Sequence, residues 1–182
     1  MKHYIRSKRE RDSTVIVQPD IQIKELNAAA AGELVRLDFG GASALAIVMR
    51  QTPQGVVCAF LETRDEARAP FFLAVSTEGA MCMSYGKDWS LDLTFDTETY
   101  PGNGDYVDKH GVIHVGETAV AINLNRPPGN IQLSAGAFDL KTFRTLDVHR
   151  RTYAPVTSWK IWHAATTKHE PNAKPLYVFA LT

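Results

Sequence analysis

Only two cysteines occur in the 182 residues, Cys58 and Cys82. Both stand inside apolar, strand-like runs, and neither belongs to a C-x-x-C pair or a Cys/His cluster. Their scarcity excludes a disulfide-stapled scaffold and a thiolate zinc centre. Buried free thiols and a reducing, cytoplasmic setting are the reading instead. Long apolar runs are missing too. Nothing approaches the roughly 20 residues that a membrane-crossing helix needs, so no membrane partner is expected. The opening stretch, MKHYIRSKRERD, lacks the apolar core of a secretory signal. An excess of charge of either sign is also absent. Lys plus Arg number 20 and Asp plus Glu number 20. Nucleic-acid binders usually carry a basic excess, because phosphate contacts dominate their affinity, so this balance counts against that class. The common catalytic signatures are lacking as well: there is no G-x-S-x-G and no H-E-x-x-H. The glycine-rich run Asp38–Ser43 has no lysine and no strand-then-helix context, so it is a turn and not a phosphate loop.

What is present is β pattern. In Ser90-Leu91-Asp92-Leu93-Thr94-Phe95-Asp96 apolar and polar residues alternate, the mark of a strand with one dry and one wet face. Val35, Leu37 and Phe39 alternate with Arg36 and Asp38 in the same way, and Val120, Ile122 and Leu124 share one side of 118–124. Four further runs, Ala44–Met49, Val56–Leu61, Phe71–Val75 and Leu176–Leu181, are apolar on both faces and need cover on both. Thr52-Pro53-Gln54-Gly55 suits a hairpin turn, and Glu78-Gly79 lies between two more strand-like runs. Between residues 33 and 96 the strands follow too closely for crossover helices, which argues for antiparallel pairing. Helix is scarce. Asp20 can cap a helix over Ile21–Ala31 with Gly32 as its stop, and Ala137–Arg151 fits strand and helix equally. The expectation is a mainly β chain: an antiparallel β-sandwich or jelly-roll-like domain with one or two short helices. Residues 1–12, with five bases against two acids, form a flexible basic arm, and 13–182 form a single β-rich domain.

Three places carry candidate chemistry. The loop from Asp96 to Asp108 is rich in oxygen ligands and glycine, and its Tyr100, Asp105 and Tyr106 suit a ligand platform. Just beyond it, His110 and His114 with Asp108 and Glu117 offer a candidate metal set. On a strand two histidines four apart lie roughly 13 Å from each other, so one metal needs a bend at Gly111. The third place is 149–163, where Arg150, Trp159, Lys160 and Trp162 combine bases with aromatics, as surfaces for sugars and single strands do. Trp159 and Trp162 fall on opposite faces of a strand, one inward and one beside Lys160.

The leading reading is a non-enzymatic β-sandwich module for assembly or binding, with itself as partner. The doubly apolar strands would leave Ala46, Val48, Val57, Ala59, Phe72 and Phe179, or their alternates, near water unless a homo-oligomer covered them. An acidic middle (ten acids against three bases over 62–108) and a basic stretch at 139–174 (seven bases against three acids) supply complementary faces. No cofactor is expected under this reading. The alternatives are a β-scaffold, metal-assisted hydrolase centred on 96–117, with a divalent metal as cofactor, and a glycan or single-stranded nucleic-acid binder using 149–163.

Overall fold

The computed structural model describes residues 21–64, 69–96, 104–106, 108–125, 136–146 and 153–181. The expected basic arm at 1–12 lies outside them. The described residues are mostly antiparallel β, arranged in three sheets as a sandwich-like domain. The first sheet takes β1 (Gln22–Glu25), β2 (Leu34–Asp38), β3 (Ser43–Thr52), β4 (Gly55–Glu62), β5 (Phe71–Val75) and β6 (Met81–Ser84), in the order β1-β6-β2-β3-β4-β5. A three-stranded sheet has β13 (Ser158–Trp162) between β14 (Tyr177–Ala180) and β7 (Ser90–Thr94). The third sheet runs β11 (Thr145–Leu146), β10 (Ala137–Asp139), β9 (Val120–Asn123), β8 (Ile113–Val115), β12 (Ala154–Val156). Among the described residues helix is confined to short 3-10 turns such as Leu26–Ala28, and none is long and apolar enough to cross a membrane.

Local chemistry explains most of these elements. The turn at 52–55 joins β3 to β4 as its residues suggest, with Thr52 paired to Gly55. Gly55 sits at φ +137°, and a side chain there would run into the Val75 carbonyl. The run around Glu78-Gly79 does not make a hairpin between β5 and β6. It carries the chain from one side of the sheet to the other, where β6 inserts between β1 and β2. Four inter-strand spacings of about 4.8 Å make about 19 Å, within reach of six extended peptide steps.

The expected helix over 21–31 is a strand and one 3-10 turn. Ile21 and Ile23 alternate with Gln22 and Lys24, which is strand period, and β1 pairs along all four residues with β6. The alanine run is too short to nucleate a helix against that pairing. In the ambivalent stretch from 137 the described part is a strand pair, β10 with β11.

One core joins all three sheets. Leu45, Ile47, Ala59 and Phe72 of the first meet Ile113, Ile122 and Phe138 of the third and Trp159 and Ile161 of the three-stranded sheet. The chain passes from the third sheet into the three-stranded one between β12 and β13, with only Thr157 between. A second cluster covers the opposite face of the first sheet: Val35, Leu37, Ala46, Val48, Cys58 and Phe60 are buried with Leu26 and Ala29. There Phe39 folds back on Phe60 with ring centroids 4.5 Å apart, and Phe60 stacks on Phe71 at 5.1 Å. The apolar residues of β3 and β4 are therefore buried on both faces within one chain, whereas Val178 of β14 is 53% exposed. Ala46, Val48, Val57, Ala59 and Phe72 are all buried and Phe179 is half-buried, contrary to the expectation that they meet water.

Candidate functional site

The sheet with an open polar face is the three-stranded one. On β13, Trp159 and Ile161 point into the core while Ser158, Lys160 and Trp162 point out, the period of two dividing the tryptophans as expected. Trp159 is fixed from three directions. Its indole N–H donates to the Gly111 carbonyl at 2.7 Å, and Phe179 and Tyr177 pack on its ring, each at 5.3 Å. It is a core residue and cannot touch a ligand. Burial, with the Glu62 charge adding to it, pushes the Tyr177 hydroxyl up to about 12.

Lys160 sits at the centre of the outer face. Its cross-strand neighbours are Asp92 on β7 and Val178 on β14. Trp162, half-buried, stands opposite Ser90, and Ser158 lies between Thr94 and Ala180. The loop after β13 returns a second cation to this face. The Thr167 hydroxyl donates to the Ala164 carbonyl at 2.7 Å and accepts from the Ala164 N–H, which shapes the turn that carries Lys168. Lys168 Nζ then reaches Asp92 Oδ1 at 2.9 Å. That hydrogen bond is the main reason the Asp92 carboxyl is held below its ordinary range. Asp92 and Lys168 were not among the sequence candidates. The alternation of 90–96 assigns Asp92 to a wet face, but only the pairing of β7 with β13 brings it beside Lys160.

The remaining candidates among the described residues do not converge. Asp105 and Tyr106 lie in a 3-10 turn, the first exposed and the second half-buried. Tyr100 and Arg150 fall outside the described residues. Asp108, His110 and Glu117 are exposed, whereas His114 is buried in β8, opposite Ala121 and Pro155. Burial alone pushes the His114 imidazole down to about 4, and its Nε2 has no hydrogen-bond partner among the described residues. Gly111 does bend the chain, at φ +80°, but the bend serves the Phe179 ring that lies where its Cβ would be. Among the described residues no three His, Cys, Asp or Glu side chains gather as a metal site. Both cysteines are free and buried, and desolvation pushes the Cys58 thiol up to about 12 and raises that of Cys82.

No protein-family model, curated protein or solved structure matches this chain.

Proposed function

We propose that the protein is a non-enzymatic binding module on a β-sandwich scaffold, and that the outer face of β7, β13 and β14 is its contact surface for a glycan. One observation carries the reading: Trp162 and Lys160 share the wet face of a strand whose other face is core, with Asp92 and Lys168 beside them. A pyranose ring has an apolar C–H face, which stacks on an indole, and a rim of hydroxyls that both donate and accept. Lysine offers donors and a carboxylate offers acceptors, so the surface matches both halves. The Asp92–Lys168 pair is partly exposed and holds the structure together only weakly, so ligand hydroxyls can replace it at small cost.

A single-stranded nucleic acid suits the face less well, because Asp92 opposes phosphate and the chain carries no basic excess. The hydrolase reading lacks a gathered set of ligands among the described residues. The test is a titration with neutral oligosaccharides, read by tryptophan fluorescence and by calorimetry. Binding with a dissociation constant on the order of 0.1–1 mM is expected, as suits a shallow face. Trp162→Phe and Lys160→Ala should each weaken it. Binding that persists unchanged in both variants would place the contact elsewhere.

A further inference from the structure

A groove of ≈ 390 Å³, separate from the open sheet face, lies between the turn before β2, the segment leading into β7 and the turn joining β10 to β11. Its walls include Trp89, Leu91, Leu140 and Phe143, and its cations are Lys87 and Lys141. The volume falls in the range of about 300–1,000 Å³ typical of small-molecule sites, which are mostly apolar with a few polar groups.

The walls are held in place. The Trp89 indole N–H donates to the Gly32 carbonyl at 2.8 Å, so its polar atom is satisfied and its ring is fixed. Gly32 has φ +89°, and a Cβ there would lie 2.7 Å from the Phe143 ring, so only glycine lets that ring seat. Phe143 itself sits at φ +56°, a left-handed conformation that a bulky residue rarely adopts. Asp139 enforces it. The carboxylate accepts from the Lys141 N–H at 3.2 Å, the Thr142 N–H at 3.2 Å and the Thr142 hydroxyl at 2.6 Å, and the Asp139 carbonyl accepts from the Phe143 N–H at 2.8 Å. Backbone strain kept by surrounding bonds is concentrated at ligand clamps. Here it sets an aromatic wall and a lysine side by side. Both lysines are exposed, neither has an ion pair among the described residues, and no acid lines the groove.

We propose that this groove binds a small organic carboxylate with an aromatic or aliphatic body. The body lies against Trp89, Leu91, Leu140 and Phe143, and the carboxylate meets Lys87 and Lys141. Two unpaired cations beside an apolar wall favour an anion over a neutral or cationic ligand of the same shape.

Calorimetric titration with 2-naphthoate and octanoate, against 2-naphthylmethanol and octan-1-ol, tests this. The acids should bind with a dissociation constant under about 1 mM, and the alcohols about tenfold or more weakly. Lys87→Gln combined with Lys141→Gln should cost the acids about tenfold while leaving the alcohols and the urea midpoint unchanged. Lys160→Gln, on the open sheet face, should leave the affinities for the acids and alcohols unchanged while weakening glycan binding, which separates this site from the glycan surface. Three results would each overturn the proposal: no binding of either acid at about 10 mM, alcohols that bind as tightly as acids, or acid affinity undiminished in the double variant.

Discussion

At the scale of single residues, burial sets the chemistry of His114. Its imidazole is pushed from an ordinary 6.5 down to about 4. Above pH 6.5 it is neutral in both the folded and the unfolded chain. Between pH 6.5 and 4 the unfolded chain takes up a proton that the folded one refuses, so stability falls as the pH drops. Below pH 4 the loss is complete, at about 3 kcal/mol. Urea midpoints measured from pH 7.5 to 4.5 should therefore decline, and His114→Leu should flatten that decline; an equal slope in both proteins would show that His114 is not its source. Glu33 has the same sign, because its folded value is also lowered. Burial pushes its carboxyl up, but hydrogen bonds from Lys24, Ser84 and the Ala30 N–H, with the Lys24 charge, outweigh burial and hold it below its ordinary value. Lys24 Nζ lies 2.6 Å away and the Ser84 hydroxyl 2.5 Å. The stability this carboxylate confers is lost only as the pH falls below its ordinary 4.5, a window that opens near the lower end of that of His114. Glu33→Ala strands a lysine and a buried hydroxyl and should cost about 2–3 kcal/mol at pH 7 by urea denaturation. A loss under about 0.5 kcal/mol would mean that water takes over these partners. The sequence gives no sign of this cluster, because it forms only when β6 lies between β1 and β2.

Elements were legible where apolar residues alternate along a strand or run unbroken through it. The alternation in 90–96 and 118–124 gives β7 and β9 with their core sides correct, and the doubly apolar runs give β3, β4 and β5. Phe95 is the exception: it continues the alternation but lies beyond the end of β7 and is 57% exposed. The stretch at 21–31 was not legible as strand, because four alanines and a capping aspartate outweigh two isoleucines in a local reading. Only its pairing with β6 decides otherwise. The glycines allow a sharper test. Gly79 and Gly111 both have positive φ, but Gly79 has open space around it and Gly111 lies under the Phe179 ring. Gly79→Ala should cost about 1–2 kcal/mol, the left-handed penalty alone. Gly111→Ala should cost about 1–3 kcal/mol more, because the ring that packs on Trp159 must also move. Equal losses in urea denaturation would mean that the Phe179 ring yields freely.

For the whole molecule, the arrangement of sheets decides which surfaces are left to work. In the first sheet the apolar residues of β2, β3 and β4 are buried on both faces, one against the other two sheets and one against the second cluster, whereas Ile23 of β1 and Met81 of β6 are exposed. The three-stranded sheet has core on one side and a polar surface with an aromatic on the other. Half of that surface was legible: the period of two separates Trp159 from Trp162 and puts Lys160 beside the latter. The other half, Asp92 and Lys168, comes from residues 76 positions apart that a strand pairing and a loop bring to one point. The most direct check on this account is fluorescence titration of the intact protein and of Trp162→Phe with a panel of neutral oligosaccharides. At least one member should shift the emission of the intact protein in a saturable way, and that shift should vanish in the variant. A panel without any saturable response, or a response that survives loss of Trp162, would contradict the assignment of this face.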